Sequence, residues 1–207
     1  MGIWADRVVP HLADRALAAE EMHAYRARVC AGLQGRVLEL GFGSGHNVRH
    51  YPVGVTQVRA VEPSDVGWRL SERRRARATV PVLRSGLDGQ ALAEEDASCD
   101  AALTTFTLCT IPDAARALAE VRRALRPGGG LHLLEHGLAP DPGVARWQHR
   151  LDPVQQRMFA GCHLTRDMTA LVEQAGFTVT SLEADYLPGP AVVKPWSYGY
   201  LLTAIRP

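Results

Sequence analysis

Leu38-Glu39-Leu40-Gly41-Phe42-Gly43-Ser44-Gly45-His46-Asn47 decides the reading of this chain. The short apolar run 36–40 ends in glycines, the pattern of a buried strand. A helix is expected to open at about residue 45 and to run to 51. Glycines at such a junction allow a tight turn and a close approach of backbone to ligand. Outward from the turn, further strands are expected over 57–61, 80–83, 100–105, 131–134, 177–182 and 198–205. Helices are expected over 5–30, 65–78, 113–125 and 165–175. Pro112 and Asp113 start the third of these, and Pro127 with Gly128, Gly129 and Gly130 stops it. Strands alternating with helices imply βαβ units and a mainly parallel sheet covered on both faces. The stretch 137–164 is too long for an ordinary connection and reads as an inserted helical cap.

The neighbours of the turn narrow its ligand. Position 46 is His, so the dinucleotide pattern G-x-G-x-x-G fails, and no Lys-Ser/Thr ending makes a P-loop. Glu39 just before the glycines would repel a pyrophosphate but suits the cationic amino group of a methionine moiety. Glu62, followed by Pro63, ends the next strand about 20 residues further on, where a carboxylate can accept both hydroxyls of an unphosphorylated ribose. A solvated strand-end acid is the plain alternative for Glu62 taken alone.

Composition removes several classes. The 207 residues carry a formal net charge of +1, so no global field draws in nucleic acid. Hydrophobic residues make up 46% and charged residues 22%, typical of a folded globular chain. Cys30, Cys99, Cys109 and Cys162 form no CxxC pair and read as reduced thiols of a cytoplasmic protein. The first ten residues have no apolar core of a signal peptide, and no apolar run reaches the roughly 20 residues that span a bilayer.

LELGFGSGHN, AVEPS, Asp96-Ala-Ser-Cys-Asp100 and Glu120-Val-Arg-Arg-Ala-Leu-Arg-Pro-Gly-Gly129 together resemble the class I S-adenosylmethionine (SAM) methyltransferases, in the branch near the ubiquinone/menaquinone enzymes. Thr107-Leu-Cys109, Leu134-Glu135-His136, Trp147-Gln148, Leu151-Asp152-Pro153, Gly161-Cys162-His163-Leu164-Thr165-Arg166 and Tyr198-Gly199-Tyr200 extend the likeness to the methyltransferase-like alkyl thiol S-methyltransferases. The animal members carry an N-terminal membrane-anchoring segment, which is not expected here, and residues before about Gly35 are expected to stand outside the close match. The resemblance implies an α/β, Rossmann-like class I fold: a mainly parallel seven-stranded sheet with an antiparallel last strand, helices on both faces, and a helical N-terminal segment and cap. One domain over 1–207 is expected, with 1–34 as a helical lid, 35–136 as the SAM-binding core, 137–164 as the cap and 165–207 as the C-terminal helix and strands. Carried over by position, Glu39, Gly41, Phe42, Gly43, Gly45 and Asn47 match the first cofactor motif, and Glu62 and Pro63 the ribose motif. Asp88 and Gly89 fall in the adenine segment, and Thr105 and Phe106 line the methionine end.

The implied activity is methyl transfer from SAM to a small molecule, giving S-adenosylhomocysteine. A thiol is the leading acceptor. A phospholipid amine, a quinone or a natural product methylated at N, O or C is the second choice, and a SAM-binding regulatory protein is the non-enzymatic one. In-line displacement at a sulfonium-activated carbon needs positioning, exclusion of water and a deprotonated nucleophile. A thiol near pKa 8.5 needs only modest help to ionise. His136, at the end of the fifth strand, is the candidate for that help, with a purely structural histidine as the alternative. Trp4, His11, Trp147, Phe159 and Met158 are candidates to line the acceptor site, or simply to fill the core of the cap. Cys109 and Cys162 read as inert buried thiols in preference to nucleophiles or arsenic ligands, since no third ligand-like cysteine is well placed; no metal is expected, and the Arg73–Arg77 run reads as a solvated face.

Overall fold

The computed structural model describes residues 4–187 and 190–207. A π turn over Trp4–Val8 leads into α1 (Val9–Ala16) and α2 (Glu20–Cys30). The core alternates β1 (Gly35–Leu40), β2 (Val55–Val61), α3 (Asp65–Leu70), α4 (Glu72–Arg75), β3 (Val82–Gly86), β4 (Cys99–Thr105), α5 (Ala114–Ala124) and β5 (Leu125–His136). There follow α6 (Pro142–Met158), α7 (Met168–Gln174), β6 (Thr178–Tyr186), α8 (Lys194–Ser197) and β7 (Tyr198–Ile205).

The seven strands lie in the order β3-β2-β1-β4-β5-β7-β6. β1 pairs in parallel with both β2 and β4, and β7 alone runs antiparallel, between β5 and β6. The order reverses between β1 and β4, so the carboxyl end of β1 sits at the switch point where such sheets bind ligands. Val37 and Leu38 are both fully buried because they face opposite sides of a sheet covered twice. Leu38 joins Ala102, Leu131 and Leu133 beneath α5 and α7, whereas Val37 joins Val58, Leu103 and Leu134 beneath Val29 and Cys30 of α2.

Several elements depart from the sequence reading. No α-helix follows the glycine turn; only a 3-10 turn over Val48–His50 forms before Pro52. The single N-terminal helix is two, broken at Leu17 to Ala19. The arginine-rich helix is interrupted at Ser71, which caps neither half with its side chain but donates to the Trp68 carbonyl at 2.6 Å. α5 is capped by Asp113, whose carboxylate accepts from the Arg116 N–H at 2.9 Å. Pro127 and its glycines do not merely stop that helix: they lie inside β5, with Gly128 at φ +78°. The cap is one long helix, α6, with Pro153 inside it.

Candidate active site

β1 ends with the carboxylate of Glu39 pointing into a closed polar cluster, 1% exposed. Asn47 Nδ2 donates to Glu39 Oε1 at 2.9 Å, and the Tyr51 hydroxyl donates to Oε2. Arg26, on α2, donates to Asn47 Oδ1 at 2.7 Å and to Thr105 Oγ1 at 3.2 Å. Asn47 also donates to Thr105 Oγ1 at 3.0 Å. Burial raises the Glu39 carboxyl to about 7, against the hydrogen bonds from Tyr51 and Asn47 and the charge of Arg26. The Glu39, Asn47 and Thr105 expected from sequence thus meet in one place. Arg26 was missed, because it lies in a helix that the sequence marks only by alanine and by apolar residues mixed with charges, one arginine among several.

The glycine turn has two sides. Gly41, at φ +65°, faces Thr107, and a Cβ there would overlap the Thr107 side chain. Gly43, at φ +55°, has nothing nearer to a Cβ position than the Gly41 carbonyl oxygen, 3.9 Å away. Gly43 therefore presents bare backbone to open space, as close approach of a ligand requires. The Phe42 side chain turns the other way, 3% exposed, and packs with Val48 and Ala60 and against Trp68, whose ring centre is 5.4 Å away. Only its backbone remains at the turn.

Glu62, at the end of β2, accepts from the Gly43 N–H at 2.5 Å and the Ser64 N–H at 2.7 Å. Burial raises its pKa, and those two backbone donors oppose the rise. Pro63 beside it is exposed. Asp88 is exposed and closes a local turn, accepting from the Gln90 N–H at 2.8 Å and from its side chain at 3.1 Å. Gly89 packs by Leu40 and Ile111. Phe106 ends β4 in the left-handed region, φ +52°, which a bulky residue adopts only when its surroundings hold it there.

The residues present fit SAM. Among the described residues the Arg26 Nε and the Ser85 Oγ are buried polar atoms without a partner. The first belongs to the arginine that bonds Asn47 and Thr105 next to Glu39, and the second lies on β3, at the start of the segment expected to border the adenine.

His136 sits at the end of β5, its ring centre 6.5 Å from that of Phe106. Its Nε2 lies 3.0 Å from Cys162 Sγ, so the ring is engaged with a thiol. Next to it, Glu135 is fully buried and takes the backbone of the β4–α5 loop: its carboxylate accepts from the Thr107 N–H at 2.7 Å, the Leu108 N–H at 3.0 Å and the Thr104 hydroxyl at 2.8 Å. Sequence offered no sign of that role beyond an acid in an otherwise apolar strand.

Against α6 and α8, an apolar cavity of about 370 Å³ is lined by Leu151, Val154, Gln155, Met158, Phe159 and Trp196. Trp4 reaches it indirectly, donating from Nε1 to the Met158 carbonyl at 2.7 Å. Trp147 and His11 do not line it. Trp147 is 55% exposed, beneath the Arg150 guanidinium, and His11 is exposed on α1. Trp196 and Gln155, absent from the sequence reading, are brought in by α8 and α6.

The methyltransferase-domain family matches residues 7–182 of the chain. The chain belongs to that family. The match starts well before Gly35, so the N-terminal helices are part of it. Thiol S-methyltransferase TMT1A of Homo sapiens is 33% identical over 181 residues, covering 82% of this chain and 72% of that protein. Thiol S-methyltransferase TMT1B of Rattus norvegicus is 34% identical over 153 residues, covering 71% of this chain and 62% of its own length. In fold, the chain resembles the S-adenosylmethionine-dependent methyltransferase of Mesorhizobium loti, with a TM-score of 0.65, 18% identity, and 91% and 99% of the two chains covered. A SAM-dependent methyltransferase of Methanosarcina mazei gives 0.65, 20%, 91% and 97%. This family member is a SAM-dependent methyltransferase that acts on a small molecule. No helix among the described residues is long and apolar enough to cross a membrane.

Proposed function

We propose that this methyltransferase methylates the sulfur of a small apolar thiol. The observation that carries the reading is the cavity against α6 and α8, walled by apolar side chains and one amide, with no charged group in its lining among the described residues. Such a lining favours an uncharged, apolar acceptor. Gln155 belongs to the cavity wall and also donates to Cys162 Sγ at 3.5 Å, and Cys162 touches His136. The cavity therefore connects by direct contacts to the end of β5. The thiol S-methyltransferases similar to this chain support the same acceptor.

When bound, SAM supplies the activated methyl group. For the rest of the site we assign Glu39 and Arg26 to the amino-acid end of the cofactor, held by Asn47 and Thr105. Glu62 takes the ribose, and Asp88, Gly89 and Ser85 border the adenine. His136 serves turnover rather than cofactor binding. The lid over 1–34 closes the methionine end through Arg26, and the cap over 137–164 forms the acceptor wall. Four free, buried cysteines suit a reducing, cytoplasmic setting.

The test is a panel of alkyl and aryl thiols against phenols, amines and phosphatidylethanolamine, with S-adenosylhomocysteine release as the readout. Thiols should be the substrates. Release with phenols or amines and none with thiols would reject the assignment. His136→Ala should lower turnover and leave SAM affinity within about twofold.

A further inference from the structure

Cys109 and Cys162 read from sequence as two unrelated inert thiols, with no third ligand in view. The fold brings them together and adds His136. One ligand atom from each of the three lies within 4.8 Å of both others. The cysteines are 1% and 6% exposed.

Each ligand is carried on backbone that is itself held. The loop bearing Cys109 is gripped by the Glu135 carboxylate. The turn bearing Cys162 is gripped by Asp152, which accepts from the Leu164 N–H at 2.6 Å. The two segments are stapled directly, the His163 N–H donating to the Cys109 carbonyl at 2.8 Å. Around the sulfurs, Gln155 Nε2 donates to Cys162 Sγ at 3.5 Å, and the Arg166 guanidinium binds the Leu108 carbonyl, one residue from Cys109. Amide donors and a nearby cation are the surroundings that stabilise thiolate ligands. His136 Nδ1 is buried without a partner among the described residues.

We propose that Cys109, His136 and Cys162 form a three-ligand site for one zinc ion, with the fourth position open toward Gln155 and the apolar cavity. Zn–S bonds of about 2.3 Å and Zn–N bonds of about 2.0 Å in a tetrahedron set ligand atoms about 3.5 to 3.8 Å apart; the three atoms here lie within 4.8 Å of one another, and the His136–Cys162 pair, at 3.0 Å, would open by about half an ångström to admit the ion. Two sulfurs and one imidazole suit a borderline-soft, redox-inactive cation, and three protein ligands leave an open position. Harder cations would prefer carboxylates, and none of the three ligands is one.

The fourth ligand would be the acceptor sulfur, and this part rests on the thiol reading. Binding of zinc releases the two cysteine protons to solvent, and an entering thiol releases a third. In the transfer, a lone pair of the acceptor sulfur forms the new S–CH3 bond as the sulfonium C–S bond breaks, that bond's pair staying with the departing sulfur. The thioether product carries no charge and binds the cation weakly, so it leaves.

The test uses the full chain, reduced and stripped of metal, titrated with Co2+ as a spectroscopic substitute. The expected result is sulfur-to-cobalt charge-transfer absorption and the visible bands of a tetrahedral site, saturating at one equivalent. Cys109→Ser and Cys162→Ser should each lose much of the charge-transfer intensity and bind cobalt at least tenfold more weakly. Cys162→Ala, checked by circular dichroism for an intact fold, gives the same comparison if the serine variants misfold. Absence of the band in folded protein, or an equal band in the cysteine variants, overturns the site. Adding a small alkanethiol should strengthen the charge-transfer band; an unchanged spectrum overturns the fourth ligand. A cobalt site in a chain that methylates no thiol would uphold the site and reject the substrate reading, so the two failures are told apart.

Discussion

Glu39 shows how a single carboxylate can be both buried and useful. At pKa about 7 it is partly protonated near neutrality, and a cationic amino group beside it favours the ionised form. The folded value lies above the usual carboxylate value, so the protonated form dominates below 7 and proton release accompanies cofactor binding. SAM affinity should therefore rise as pH climbs through about 7. Calorimetry at pH 7 in buffers of different ionisation enthalpy should detect that proton. In Glu39→Gln, affinity should fall and its pH dependence should vanish; an unchanged profile would remove Glu39 from the cofactor site. Gly41 is the other residue whose identity is forced. At φ +65° with Thr107 against it, Gly41→Ala should abolish SAM binding and lower the melting temperature. Full affinity in that variant would show that the turn can relax.

At the scale of elements, two devices hold the catalytic end of the sheet. Glu135 fastens the β4–α5 loop to β5. Charge-assisted hydrogen bonds contribute about 1.5–3 kcal/mol each and are not additive, so Glu135→Gln should cost about 3 kcal/mol. Thermal unfolding should shift by about 2–4 °C per kcal/mol for a domain of this size. A shift under about 2 °C would mean that water replaces the carboxylate. The second device ties α1 to the turn: Asp14 meets Arg74 at 3.0 Å and His46 at 3.1 Å, and Arg74 also donates to the Ser44 carbonyl at 3.0 Å. Burial holds His46 down at about 4, with the charges of Arg74 and Arg26 in the same direction and Asp14 opposing. A folded value below the unfolded 6.5 gives stability that is present above about 6.5 and is lost as pH falls toward 4. Hydrogen exchange in α1 should accordingly be faster at pH 5 than at pH 7.5 after correction for intrinsic rates. Equal protection at both would break the link between His46 and the lid.

Across the whole molecule, what could be read from sequence was what lies close along the chain. The strand–turn unit at Glu39 to Gly45, the acid at Glu62, the α5 cap at Asp113 and the bounds of β7 all depend on neighbours within a few residues. Arg26 meeting Asn47 and Thr105, Glu135 gripping the next loop, and Cys109 meeting His136 and Cys162 depend on how distant strands and the cap come together, which local pattern does not encode. The helix expected after the turn failed for a similar reason: Asn47 and Tyr51 are drawn to the Glu39 carboxylate, and Pro52 follows at once. The proposed acceptor wall is another such assembly, since α6 and α8 supply it from opposite ends of the C-terminal half. Trp196 is fixed there by its Nε1 donating to Gln155 Oε1 at 3.0 Å, while Phe159 follows the last turn of α6. Both are about two-fifths exposed, so truncating them should cost little stability and mainly enlarge the cavity. Losing one apolar wall is worth about 1–3 kcal/mol of acceptor binding, or roughly 10- to 100-fold in kcat/KM for a small alkanethiol. Trp196→Ala and Phe159→Ala should show that loss mainly as a raised KM, with SAM affinity unchanged and bulky aryl thiols affected least. A uniform fall for every thiol would place the acceptor elsewhere, because only a cavity that holds the substrate can trade a lost wall for a larger guest.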